Sequence, residues 1–258
     1  MRGASAVAIE LKSNLEISAI RRAGCAVARV LAKVSAAVRP GVKTWDLETL
    51  AREESARLGV EPAFLGYLGY PAALCVSVNA EVVHGIPSTR RVLKEGDIVS
   101  LDYGCLLEGF YADAAVTVGV GGISAEARRL IEVTRVSLEK AVAAMKVDGR
   151  LGDVSSAVQE YVESNGFSVV RDFSGHGIGR SLHESPSVPN FGGAGTGTRL
   201  SPGLVLAIEP MVTAGSEKTE VLADGWTAVT KDGSLAAHFE HTVALTDKGP
   251  EVLTEAHG

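Results

Sequence analysis

Asp102 and Asp113 in the first half of the chain, Glu209 and Glu240 in the second, and His176 between the two pairs carry most of its chemistry. Four carboxylates and one imidazole form a donor set for two divalent cations that share bridging oxygens. The settings of the acids match. Leu93-Lys-Glu-Gly96 leads through Ile98 to Leu101 into Asp102, and Leu200-Ser-Pro-Gly203 leads through Val205 to Ile208 into Glu209. Asp113-Ala-Ala-Val116 echoes Glu240-His-Thr-Val243, and His84-Gly-Ile86 echoes His176-Gly-Ile178. A turn, a buried apolar run and a carboxylate at the strand end, twice over, predict an internal duplication. Folded on itself, it would set two carboxylate pairs face to face about a pseudo-twofold axis. A single such acid would simply face water at a hairpin end. Four in matching settings read as metal ligands, because a carboxylate in an apolar strand is costly unless paired, hydrogen-bonded or bound to metal.

Two divalent ions about 3.5–4 Å apart can hold a bridging water and lower its pKa to about 7, making a hydroxide nucleophile. The reaction class is hydrolysis of an amide or ester, with a phosphoester also compatible. His84 and His183 sit in Gly- or Pro-rich loops. They read either as surface histidines or as donors to a substrate carbonyl and its developing oxyanion. His241 follows Glu240 directly, so on a strand it faces the other way and is structural. His238 and His257 carry no signal of their own. Gly175-His-Gly-Ile-Gly179 and Gly192-Gly-Ala-Gly-Thr-Gly197 lack the Lys-Ser/Thr ending and the strand-to-helix setting of phosphate loops.

The elements that must position these groups are legible from periodicity. Ser13 and Glu16 form a capping box ahead of Ile17, Ile20, Val27, Leu31 and Val34 at helical spacing, and Pro40-Gly41 ends that helix. Thr44 caps a second helix that stops at Gly59. Residues 60–72 are loop, and Ala73 to Val83 alternates as a strand pair with a turn near Asn79. Ile98 to Leu101 and Gly109 to Val118 are the arms of a hairpin. Ser124 opens a third helix, and a fourth runs from about Asp153 to Asn165-Gly166. Residues 168–200 are loop-rich, and strands dominate from Val205 to Leu253. Two helices, strands, two helices, strands predict an α+β fold with helices covering one face of an antiparallel sheet. Residues 1–12 read as a short N-terminal extension and 13–258 as one catalytic domain.

The chain of 258 residues is 46% hydrophobic, enough for a sizeable core. Its net charge of −6 and lack of a basic block exclude a nucleic-acid footprint. Cys25, Cys75 and Cys105 are odd in number and scattered, as in a cytosolic protein with reduced thiols. No apolar run approaches a membrane span. Nothing demands an oligomer, so a cytoplasmic monomer is expected. Aromatics make up only 5%, so Trp226 and the Tyr67/Tyr70 pair need a reason.

As a set, several strings resemble the type I methionine aminopeptidases. They are Ser77-Val-Asn79 through His84-Gly-Ile-Pro87, Gly96-Asp-Ile-Val99 on to Asp102 and Asp113, Ser174-Gly-His-Gly-Ile-Gly179, Ile208-Glu-Pro-Met211, and Glu240-His-Thr242. The resemblance spans about Ser13 to Leu253. It implies the pita-bread fold and removal of the initiator methionine from nascent proteins whose second residue is small, by a metal-bridging hydroxide. It further implies Asp102, Asp113, His176, Glu209 and Glu240 as ligands of two ions (Mn, Fe(II), Co or Zn). Glu209 would double as base, and His84 and His183 would contact the scissile amide. Tyr67, Tyr70, Cys75, Leu182, His183, His84 and Trp226 would bind the substrate. The ribosome is a further partner such an enzyme would meet. Leu182 stands where that family usually has Phe, Phe64 where Cys is common, and Ala114 where Thr is usual. Two other expectations compete: an X-Pro aminopeptidase or prolidase of the same fold, and a non-catalytic binding module that has kept it.

Overall fold

The computed structural model describes residues 9–255; the start of the expected N-terminal extension and His257 lie outside the described residues. Helix α1 (Asn14–Ala37) begins as its capping box requires. Glu16 N donates to Ser13 Oγ at 3.4 Å, and Ser13 N donates to Glu16 Oε2 at 2.8 Å. Such a cap is worth about 1 kcal/mol. Its apolar stripe packs so closely on the chain's last segment that a Cβ at Gly24 would lie 2.1 Å from the Leu253 carbonyl oxygen. Helix α2 (Thr44–Leu58) ends at Gly59 with φ 67°. Its N-cap is Lys43 rather than Thr44. The Thr44 hydroxyl is committed elsewhere, accepting from Ser88 N at 2.8 Å and donating to Ser88 O at 3.2 Å.

Among the described residues, fifteen strands, a short 3-10 turn (Tyr67–Gly69) and two further α-helices follow. Strands β1 (Glu61–Pro62), β2 (Cys75–Val78), β3 (Glu81–Val83), β4 (Ile98–Leu107) and β5 (Phe110–Gly119) precede α3 (Ala125–Ala144) and α4 (Leu151–Ser164). Then come β6 (Ser168–Val169), β7 (Gly175–Gly177), β8 (Glu184–Val188), β9 (Val205–Ile208), β10 (Met211–Thr213) and β11 (Thr219–Val221). Strands β12 (Ala228–Thr230), β13 (Ala236–His238), β14 (Glu240–Thr246) and β15 (Gly249–Val252) close the list. Every pairing among them is antiparallel. The main sheet has the order β1-β4-β5-β14-β9-β7-β8, with β2 added to β4 and β15 to β14.

That order has a symmetry. About the seam between β5 and β14, β4 and β9 are the next strands out, and each carries an outer partner (β2 on β4, β7 on β9). This is the expected duplication at the level of strand pairing. Helix α1 packs on β4 and β5, and α3 touches β14, β15 and β9. The ring of His241, the residue after Glu240, lies on the side of Leu138 and Val142 of α3, with Nδ1 2.8 Å from Thr254 Oγ1. The helices thus cover the outer face, and the acids of alternate positions point to the inner one.

The segment 73–83 departs from expectation. It does form two strands, with Asn79 at φ 59° between them, but they do not pair with each other. Strand β2 joins β4, and β3 joins β12 in a separate three-stranded sheet. Asn79 is the reason. Its Nδ2 donates to Asp97 Oδ1 at 2.8 Å and its Oδ1 accepts from Ile98 N at 3.0 Å, so the turn is tied to the start of β4. The first arm of the β4–β5 hairpin is also longer than expected. It runs through Asp102 to Leu107, so Asp102 lies within the strand rather than at its end.

Candidate metal centre

The β4–β5 hairpin sets the first two acids. Its turn is Glu108-Gly109, both with positive φ (51° and 81°), the backbone a two-residue hairpin needs. The register this fixes pairs Asp102 with Ala115 and Gly104 with Asp113. Alternation then sends Tyr103 to the helical side, where its hydroxyl lies 2.6 Å from Ser55 Oγ of α2. Asp102 and Asp113 are left on the inner face. In the second half, Glu209 follows the last residue of β9, His176 sits in β7 opposite Ala207, and Glu240 opens β14 opposite Ala115. The seam is stitched at this level by Thr242. Its Oγ1 accepts from Asp113 N at 2.9 Å and donates to Asp113 O at 2.8 Å.

The donor atoms converge. Ligand atoms of Asp113, His176 and Glu240 all lie within 4.8 Å of one another. His176 Nε2 is 3.5 Å from Glu209 Oε1, and its Nδ1 is 2.8 Å from Gly177 O. The Nδ1–H is therefore spent on a backbone carbonyl, and the Nε2 lone pair faces the acids. Asp102 lines the same cavity, close enough for its charge to push the Asp113 carboxyl upward.

Without a cation this cluster is electrostatically unsatisfied. Asp102 Oδ1, Asp113 Oδ1 and Glu240 Oε1 are buried with no hydrogen-bond partner. Burial pushes all four carboxyls upward, Asp102 to about 7 and Asp113, Glu209 and Glu240 well above the carboxylate range. The charge of Asp102 adds to the rise of each of the other three. Burial, and then the neighbouring His183, lowers His176 to about 4. Among the described residues lining this cavity there is no Lys or Arg. Carboxylates crowded in this way, with a neutral imidazole presenting a lone pair, fit divalent metal, which would replace the protons and pair the orphaned oxygens.

The acids form the floor of a cavity of about 390 Å³. One wall is apolar and includes Phe64, Tyr67, Tyr70, Cys75, Leu182 and Trp226. Tyr70 meets Trp226 edge-on with centroids 5.1 Å apart, and its hydroxyl donates to Gly85 O at 2.9 Å. Gly85 must be glycine for this, since a Cβ there would lie 2.4 Å from the Val76 carbonyl oxygen. The close approach holds His84 (φ 60°) at the rim, edge-on to Phe173 at 5.6 Å. His183 lies beside His176, with centroids 4.2 Å apart and the planes tilted by 51°, and its Nδ1 is 2.8 Å from Tyr67 Oη. All the expected site residues line this one cavity. His238, Phe173 and Met211 line it too, without having been singled out. Only His238 carried a usable signal. It stands two residues before Glu240, and a period of two puts both on one face.

The chain matches the model of metallopeptidase family M24 over residues 18–247. It is 52% identical over 246 residues to the methionine aminopeptidase of Clostridium perfringens, covering 95% of this chain and 98% of that one. It is 49% identical to that of Aquifex aeolicus, covering 96% and 100%. The methionine aminopeptidase of Thermotoga maritima superposes with a TM-score of 0.95 at 53% identity, covering 96% of this chain and all (100%) of that one. The prolidase of Pyrococcus furiosus superposes at 0.77 with 22% identity, covering 66% of the longer protein, and shares the fold alone.

Proposed function

The chain belongs to metallopeptidase family M24 and acts within it as a methionine aminopeptidase, and from this premise we propose how its own residues carry out the cleavage. The substrate is an N-terminal methionine followed by a small residue, as on a nascent protein. Asp102, Asp113, His176, Glu209 and Glu240 would hold two divalent ions (Mn, Fe(II), Co or Zn). Once bound, the ions supply Lewis acidity, bringing the pKa of water toward about 7 and polarising the scissile carbonyl.

The remaining work falls to side chains. The methionine thioether is taken by the wall of Tyr67, Tyr70, Cys75, Leu182 and Trp226, where a polarisable sulfur is favoured at aromatic edges. Glu209 accepts the proton of the attacking water and passes it to the leaving amine. Burial lowers both His84 and His183, so each is a neutral donor near neutral pH. When Tyr67 Oη donates to Nδ1 of His183, the ring's own N–H is on Nε2. That N–H can then serve the developing oxyanion. His84 contacts the scissile amide from the opposite rim.

The reading makes residues 13–258 one catalytic domain, monomeric and cytoplasmic, meeting its substrates as they leave the ribosome. No described helix is long and apolar enough to cross a membrane. The observation that carries the proposal is the gathering of Asp113 and Glu240 on His176, with Glu209 Oε1 3.5 Å from the same imidazole and buried oxygens of Asp102, Asp113 and Glu240 left without partners. Its test is mass spectrometry of Met-Ala-Ser, Met-Leu-Ser, Leu-Ala-Ser and Ala-Pro-Ser peptides after incubation with metal-stripped protein, with and without added Mn or Co. Metal-dependent loss of Met from Met-Ala-Ser alone is expected. Cleavage of Met-Leu-Ser as well would remove the small-residue rule. Cleavage of Met-Ala-Ser without metal would remove the metal mechanism.

A further inference from the structure

His238 lines the cavity and has no part in the mechanism above. The residue is 2% exposed, and neither Nδ1 nor Nε2 has a hydrogen-bond partner. Its placement is rigid. Thr117 Oγ1 donates to His238 O at 2.7 Å and accepts from His238 N at 2.9 Å. Ser100 Oγ lies 2.8 Å from the same threonine hydroxyl, and β10 flanks β13 with Met211 opposite His238. A polar ring so firmly held, with both nitrogens unspent, is a cost to the fold that a leucine would avoid.

What the ring faces gives it a use. Nε2 of His238 is 3.9 Å from Glu209 Oε2, while His176 Nε2 is 3.5 Å from Glu209 Oε1. Glu209 is bracketed by two imidazoles, one on each oxygen. His176 has committed its other nitrogen to Gly177 O, whereas His238 has committed neither. A shift of the Glu209 carboxylate by less than its own bond lengths would bring Oε2 within hydrogen-bond distance of His238.

We propose that His238 is a positioning residue for Glu209, its Nε2–H donating to Oε2. The bond fixes the plane of the carboxylate so that Oε1 stays beside His176. Because a carboxylate oxygen has two lone pairs, Oε2 remains able to accept a proton from water. Partners of this kind behind a metal-binding carboxylate set its orientation and are worth about 10–100-fold in metal affinity or activity. The inference rests on Glu209 as ligand and base, so that reading is tested first, in the unmodified protein and in Glu209→Gln.

The experiment uses the full chain, metal-stripped, titrated with Mn by calorimetry and assayed on Met-Ala-Ser. If the unmodified protein binds no Mn, or if Glu209→Gln binds and turns over normally, the underlying reading fails, whatever His238 does. Given that reading, His238→Leu is expected to bind Mn about 10–100-fold more weakly. At saturating Mn its kcat falls by a similar factor, with KM within about twofold. His238→Gln, which keeps an N–H donor on the same side, recovers most of both. Thermal unfolding of metal-stripped His238→Leu occurs at or above the temperature of the unmodified protein, since an unsatisfied polar group has been removed. Equal damage from Leu and Gln, unchanged Mn affinity and kcat in His238→Leu, or a lower unfolding temperature of its metal-stripped form would each overturn the proposal.

Discussion

Lys12 Nζ lies 2.7 Å from Glu184 Oε2, and the lysine side chain is 1% exposed. The other oxygen of Glu184 accepts from Ser181 N at 3.0 Å. One carboxylate thereby ties the turn that carries Leu182 and His183 to a residue ahead of α1. The backbone of Lys12 is fixed in turn, its N–H donating to Gly203 O at 2.7 Å. Lys12→Met would leave Glu184 mostly buried without its cation. Breaking such a pair costs about 3 kcal/mol, and kcat/KM should fall as the turn loosens. Removing both charges, in Lys12→Met with Glu184→Gln, should restore much of the stability. Urea unfolding and Met-Ala-Ser kinetics of the two variants check this, and a single variant as stable as the parent would refute it.

Metal removal should change how stability responds to pH. An acid whose pKa is higher in the folded state contributes stability at low pH and loses it as pH rises through the folded value. Asp102, at about 7, and Asp113, Glu209 and Glu240, well above their ordinary range, all act in this sense. The buried histidines His84, His176 and His238 have lowered values and act oppositely, losing stability as pH falls below about 6.5. Above that range only the acids operate. The metal-stripped protein should therefore lose stability as pH rises above about 6.5 and through the value near 7 at which Asp102 ionises in the fold. Added Mn should suppress the loss by holding the carboxylates ionised. Thermal unfolding in chelator and in Mn across that interval is the check, and a stripped protein that gains stability there would contradict it.

The acids differ in what their loss removes. Glu209→Gln should lower kcat by at least about 10²-fold, the lower bound for a general base. Asp102→Asn should in addition lower the metal content found by elemental analysis, because it takes a negative charge from the acids that line the cavity. Near-parental rates in either variant would sink the two-metal mechanism.

Leu182 is 2% exposed and part of the apolar wall. Leu182→Phe adds bulk to the apolar wall proposed to take the methionine side chain. It should shift KM more than kcat, since it alters binding common to ground and transition states. An equal fall of kcat and kcat/KM would place the residue nearer the chemistry.

Much of this was legible in the sequence. The capping box at Ser13, the helix ends at Gly59 and Gly166, the β4–β5 hairpin and the place of Glu209 at the end of β9 all follow from local chemistry. So does the orientation of His241, which alternation assigns to the α3 side. What escaped depends on tertiary context. Thr44 looks like a cap until Ser88 takes its hydroxyl. The strands flanking Asn79 look like a hairpin until its side chain binds Asp97 and Ile98. His238 reads from the sequence as a residue beside a strand with no signal of its own, although a period of two aligns it with Glu240; it ends β13, with Phe239 between it and β14.

The seam between β5 and β14 gives the centre a place in time. Asp113 and the Thr242 that grips its backbone are 129 residues apart in sequence. The first half brings Asp102 and Asp113, and the second brings His176, Glu209 and Glu240. A chain still emerging from synthesis at residue 200 holds two of the four acids and no seam. On the proposed ligand set, metal capture would be a late event that only a nearly finished polypeptide can complete, and its binding energy would reward closure of the seam between β5 and β14.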